Sequence, residues 1–160
     1  MRNTSAFNVD EFLQTTIDPQ GVPLDTKVSF VPEGEYPAQI TALSPREIEQ
    51  DGKSRRLVEV TWSITDDALR ASMGISDPRA RQTLWLDTES DGSFIIAKNK
   101  NVDTGRLLDA LGMNNGRRWS WAQLLHQTAY VRVELPRDQD RAVLSDVKRV
   151  AKQQSQPRSG

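Results

Sequence analysis

"LVEVTWSI", residues 57–64, alternates cleanly from Val58 onward: Val58, Val60, Trp62 and Ile64 fall on one side, and Glu59, Thr61 and Ser63 on the other. A hydrophobic period of two over this length predicts a strand with one buried and one solvated face. Four other stretches repeat the pattern. "EYPAQITAL" (35–43) sets Tyr36, Ala38 and Ile40 on one side, which predicts the strand before it. "RQTLWLD" (81–87) predicts a third strand; with Leu84 and Leu86 inward Trp85 points out, and the alternative is a Trp85 packed under the helices. "AYVRVEL" (129–135) places Ala129, Val131, Val133 and Leu135 against Tyr130, Arg132 and Glu134. "AVLSDVKRV" (142–150) is a weaker fifth strand. Half-buried strands of this kind favour an antiparallel barrel or sandwich over a parallel sheet.

Two helical stretches fall between the third and fourth strands. In "VDTGRLLDALGMNNG", Asp103 is the expected N-cap, Leu107, Leu108 and Leu111 form the apolar stripe, and Gly112 occupies the C-terminal glycine position. The second begins in "GRRWSWAQLL" (116–125), where Ser120 and Gln123 fit a capping box, and Trp119 and Leu124 fit the two positions of a hydrophobic staple. Arginines interleaved with tryptophans also suit single-stranded nucleic acid. The capping register nevertheless assigns Trp119 to the core and leaves Trp121 open to either use. A short helix is expected around Ala68 to Met73, within the long connection from Thr65 to Ala80.

Three strands, a helical segment and two more strands is the order of an oligonucleotide/oligosaccharide-binding (OB) barrel. The expectation is a mainly β domain, an OB-fold-like barrel of five strands with a helical insertion between strands 3 and 4, over residues 31–150. A small antiparallel sandwich with an inserted helical hairpin is the competing architecture. Residues 1–30 read as an N-terminal extension, with a short amphipathic helix through Val9, Phe12, Leu13 and Ile17 broken by Pro19, Gly21 and Pro23. Residues 151–160 read as a disordered basic tail, since "KQQSQPRSG" has nothing to bury.

Charge is nearly balanced overall, with a formal net of -1, but it is polarised along the chain. Residues 1–35 carry Arg2 and Lys27 against six acids, whereas residues 147–160 carry Lys148, Arg149, Lys152 and Arg158 with no acid. Any polyanion must therefore be met by local patches. The 160 residues contain no cysteine, which removes disulfides, thiolate metal sites and cysteine nucleophiles. "MRNTSAFNVDEF" lacks a signal-peptide apolar region and no run is long enough to span a bilayer, so a cytoplasmic protein with no membrane partner is expected.

Catalysis finds little support. His126 is the lone histidine, and no nucleophile elbow, glycine-rich phosphate loop or histidine pair is visible. A non-catalytic protein without cofactor is the expectation. "DTESDG" (87–92) mimics the start of a calcium loop, but its twelfth position is Lys98 where a bidentate carboxylate is needed. A turn using Asp91-Gly92 is the simpler reading.

Nucleic-acid binding needs cations beside exposed rings. In an OB barrel the ligand crosses strands 2 and 3 between the first-to-second and fourth-to-fifth loops. "SPREIEQDGKSRR" supplies Arg46, Lys53, Arg55 and Arg56, and "PRDQDR" supplies Arg137 and Arg141. Trp85 is the stacking candidate on strand 3, Tyr130 and Arg132 share the outward face of strand 4, and Lys98 and Lys100 precede the first inserted helix. Taken singly, each cation is an ordinary solubility residue. Their convergence on the loops this fold uses marks Lys53, Arg55, Arg56, Trp85, Lys98, Lys100, Tyr130 and Arg132 as the candidate nucleic-acid-binding set.

"VPEGEYPAQI", the Gly-Lys turn in "DGKSRRLVEVTW", "KNVDTGRLLDALGM", a Trp-containing helix and "SDVKRV" form a series over residues 31–150. It resembles a loosely defined group of small bacteriophage proteins with barrel-like cores, considered single-stranded-DNA-binding or replication-associated. The resemblance implies non-catalytic coating or protection of single-stranded DNA during phage replication or recombination, with phage replication proteins as possible partners. Many single-strand binders end in an acidic tail, whereas this chain ends basic. A phage structural or protein-interaction module on the same barrel is the alternative.

Overall fold

The computed structural model describes residues 6–152. The remaining part of the expected basic tail, from residue 153, lies outside the described residues, as does Arg2. Chain order is α1 (Val9–Gln14), β1 (Gly34–Gln50), β2 (Lys53–Ile64), α2 (Asp67–Met73), β3 (Arg79–Trp85), α3 (Val102–Ala110), a 3₁₀ turn (Trp121–Leu124), β4 (Thr128–Glu134) and β5 (Ser145–Ala151). The protein is mainly β: a five-strand mixed sheet closes into a ring in the order β1-β2-β3-β5-β4, and α3 lies between β3 and β4 in sequence. The closure is irregular. β3 and β5 run parallel and pair only at Ala80–Ser145 and Arg81–Asp146, while every other neighbouring pair is antiparallel. The expected all-antiparallel sheet is corrected at that seam.

The core follows the period-two pattern except on β2, where Leu57 and Ser63, on the face expected to be solvated, are buried as well. Val58, Val60, Trp62 and Ile64 from β2 are buried with Ala38 and Ile40 from β1, Leu84 from β3, and Ala129, Val131 and Val133 from β4. Trp62 is the largest fully buried side chain, and its indole N–H donates to Gln82 Oε1 at 3.0 Å, which removes the penalty of an unpaired buried donor. At the entry to the ring, buried Ser145 donates its hydroxyl to the Val31 carbonyl at 2.8 Å. Tyr36 donates to the Pro32 carbonyl at 2.9 Å.

β1 is long enough to pair with β4 through residues 34–39 and with β2 through residues 38–50. A bulge between Ile40 and Ala42 bends it from one partner to the other. The polar stretch 44–56, read from sequence as a loop, is instead the far half of the β1–β2 hairpin. Its turn is Asp51-Gly52, with φ of 52° and 75°, the paired left-handed geometry that matches strand twist.

α2 forms where expected, with Asp66 Oδ1 accepting from Leu69 N–H at 3.0 Å. At α3 the N-cap is Asn101 rather than Asp103, and the helix ends as expected with Gly112 at φ 73°. Gly112 N–H donates to Asp109 O at 3.0 Å and Met113 N–H to Leu108 O at 2.8 Å, the paired bonds of a Schellman ending. Leu107 and Leu108 are buried, and α3 packs on β3 and β5. The second expected helix is a four-residue 3₁₀ turn. Gln123 Oε1 accepts from Ser120 N–H at 2.9 Å, as the capping box requires. Trp119 is half-buried, edge-on to Phe94 at 6.0 Å and to Trp121 at 5.0 Å, and both tryptophans pack against the core.

Two strand ends also differ from expectation. Leu86 follows β3 rather than belonging to it, and Leu135, expected inward, is exposed beyond the end of β4. The "DTESDG" stretch is a turn: Gly92 has φ 91°, Gly92 N–H donates to Glu89 O at 2.9 Å, and Thr88 bridges Phe94.

Candidate nucleic-acid interface

The β3–β5 seam decides where a ligand can lie. Because the two strands pair at only two positions, they part beyond Arg81–Asp146 and leave a cleft of about 750 Å³ between them, with α3 along it. Its β3 wall runs from Arg81 to Trp85, its α3 wall includes Arg106, and its β5 wall runs from Asp146 through Lys148, Arg149 and Ala151 to Lys152.

A bulge shapes the β5 wall. Arg132 pairs with Arg149 but Val133 pairs with Val147, so Lys148 is the extra residue. Strict alternation would turn one of Lys148 and Arg149 inward; the bulge leaves both exposed. Arg149 faces Arg132 directly across the β4–β5 ladder, and Glu35 faces Arg132 from β1 on its other side. Among the described residues, Lys148, Arg149 and Lys152 have no acidic partner. Arg81 is 3.9 Å from Asp146 and Arg106 is 3.5 Å from Asp103, so those two cations are partly offset.

Trp85 stands at the end of β3 and is 36% exposed. It pairs with Leu57, and the Arg55 guanidinium lies 4.4 Å from its ring centroid. At that distance the cation holds one ring face flat. Lys53, beside the turn, belongs to the same exposed half of the hairpin. Arg56, one residue on from Arg55, lies on the opposite face, where its Nε donates to Glu47 Oε2 at 2.8 Å. The Arg56 guanidinium occupies the space a Cβ at Gly92 would need. That bond and the guanidinium's charge hold the exposed Glu47 carboxyl below the usual carboxylate range.

The other candidates divide. Tyr130 and Arg132 are half-buried on β4, paired with Ala151 and Arg149 on β5, and so continue the cleft's basic wall outward. Lys98 and Lys100 are exposed in the loop ahead of α3, with Lys100 N–H donating to Ala97 O at 3.2 Å. Arg137 and Arg141 are exposed in the β4–β5 loop, which enters β5 at Ser145 opposite Ala80, the end of β3 away from Trp85. The two loops expected to converge are therefore separated by the length of β3, and Arg141 is turned onto Asp138 at 3.7 Å.

Sequence reasoning missed Arg81, Arg106, Lys148, Arg149 and Lys152 as site residues. The signal available was the acid-free run after residue 147, but its approach to Trp85 depends on a parallel strand pairing that no local pattern reveals. His126 is exposed with φ 72°, and its N–H donates to Ile40 O at 2.8 Å, which ties it to the β1 bulge. No group of three or more metal-ligating side chains occurs among the described residues, and none of their helices is long and apolar enough to cross a membrane. Comparison with protein-family models, curated proteins and solved structures finds no match.

Proposed function

We propose that the protein binds single-stranded DNA without catalysis, along the β3–β5 cleft and across Trp85. The observation that carries this reading is the union of a partly exposed ring with three unpaired cations, Lys148, Arg149 and Lys152, on one groove. Phosphates suit the β5 wall and the paired Arg132 and Arg149, and a base stacks on the face of Trp85 that Arg55 leaves open. Tyr130 extends the track beyond β5. The closure order, with a helix between β3 and β4, is the order of an OB barrel, and that finer fold assignment belongs with this proposal. The resemblance to small phage proteins points the same way and suggests a role in replication or recombination inside the host cytoplasm.

The test is fluorescence anisotropy with a labelled oligothymidine over a salt series. Affinity falls steeply with salt, and replacing Lys148, Arg149 and Lys152 together by alanine flattens the log–log slope by about 2, at roughly 0.7 per lost phosphate contact on a single strand. Trp85→Ala weakens binding by roughly 1–3 kcal/mol with the melting temperature largely kept. No binding at low ionic strength, or a slope untouched by the triple replacement, overturns the proposal.

A further inference from the structure

The N-terminal arm is apolar, acidic and packed on nothing. Every residue from 6 to 29 is exposed, including Phe12 at 52%, Leu13 at 75%, Ile17 at 82% and Leu24 at 83%. Its short helix α1 is well made locally: Asn8 Oδ1 accepts from Glu11 N–H at 3.1 Å, and Phe7 and Phe12 meet edge-on at 5.3 Å. Yet no residue of α1 is buried. A concentration of large apolar side chains this dense on a soluble surface marks a contact site. Within residues 6–29 stand Asp10, Glu11, Asp18 and Asp25 against one cation, Lys27.

The same chain carries a matching receptor. A groove of about 340 Å³ lies under the β1–β2 hairpin, walled by Leu43, Pro45, Leu57, Val58, Leu86 and Trp121 and rimmed by Arg46, Arg56 and the acid Glu47. Arg56 is held in an exposed pair with Glu47, which exchanges partners at little cost, whereas Arg46 is held by Glu59, whose side chain is only 18% exposed. An apolar floor between arginines complements Phe12 and Leu13 behind Asp10 and Glu11. No arm residue lines either cavity of its own chain. The fourteen residue steps from Ile17 to the buried anchor at Val31 reach at most about 50 Å when extended, enough to cross to a neighbour.

We infer that the arm of one copy docks in the hairpin groove of a second copy. A knob and a socket at different places on one chain make a head-to-tail contact, which propagates instead of closing on itself. The contact does not rest on the DNA reading, although it would make any strand coverage cooperative.

Sedimentation velocity over a concentration series, without DNA, tests it. The intact chain gains mass with concentration. Phe12→Asp with Leu13→Asp removes the knob and Pro45→Glu blocks the socket, and each variant sediments as a monomer with an unchanged circular dichroism spectrum. Mixed together they form one-to-one dimers, because the first keeps its socket and the second its knob. A monomer at every concentration, association that both variants retain, or a mixture that fails to dimerise overturns the inference. DNA binding by a strictly monomeric chain would sink this contact and leave the proposed function standing.

Discussion

Asn101 carries more of the β3–α3 connection than any other single side chain there. It is 5% exposed with φ 52° and ψ 41°. Its Oδ1 accepts from Asp87 N–H at 2.8 Å, and its Nδ2 donates to Asp87 O at 3.0 Å and to Ile95 O at 2.8 Å. Asp87 Oδ2 in turn accepts from Asn101 N–H at 2.7 Å. The side chain therefore stitches the loop shut instead of capping α3, and the helix starts at Val102, which places Asp103 inside its first turn and not at the cap. Asn101→Ala loses the three side-chain bonds, keeps the backbone N–H bond to Asp87, and leaves an ordinary residue in the left-handed region, a cost on the order of 3 kcal/mol in urea unfolding. Asn101→Gly, which accepts the backbone angles freely, loses about 1 kcal/mol less. Thr104 offers the opposite case: its hydroxyl is buried without a hydrogen-bond partner, so Thr104→Val leaves the melting temperature level or raises it. Trp62 was legible as core from alternation alone, whereas Asn101 looks in sequence like any polar loop residue. A network closed across fourteen positions has no local signature.

At the scale of elements, the central strands declare themselves and the hairpin tip does not. Residues 57–64 alternate between apolar and polar, but residues 44–56 are charged on both faces, because beyond the core both faces of that ribbon meet solvent or a loop. Cross-strand ion pairs such as Arg46–Glu59 at 3.2 Å do there what burial does lower down. The Asp51-Gly52 turn sets the register of the whole ribbon. A Cβ at Gly52 meets nothing within 4 Å, so Gly52→Ala tests backbone strain alone. It lowers stability by about 1 kcal/mol as a shifted urea midpoint with unchanged slope. The bulge in β5 was equally hidden, since an extra residue shows only in how two strands pair. It nonetheless decides that Lys148 and Arg149 both reach the cleft.

For the whole molecule, ring closure depends on holding the entry segment against the sheet. Tyr36 does part of this through its bond to the Pro32 carbonyl, and only the protonated phenol can donate. Burial raises its pKa above the ordinary tyrosine value, repulsion from Asp66 adds to the rise, and Arg132 partly opposes it. The folded state therefore holds this proton more tightly than the unfolded chain. The stabilisation is complete below the ordinary tyrosine range and is lost as pH climbs through the folded value. Thermal melts in the alkaline range should fall less steeply for Tyr36→Phe than for the parent. Local pattern was enough for the mainly β class, the cores of the five strands, the helix between the third and fourth, and the inward residues other than Leu86 and Leu135; it left Trp85 open between core and surface. Each of these is written in the near neighbourhood of the residue, as a period of two or a capping pattern. That β3 and β5 run parallel, that they part after two residue pairs, and that the basic residues 148–152 form the wall facing Trp85 emerged with the closed ring. Those outcomes depend on which distant strand closes the ring, and alternation that marks a strand as half-buried is blind to its partner.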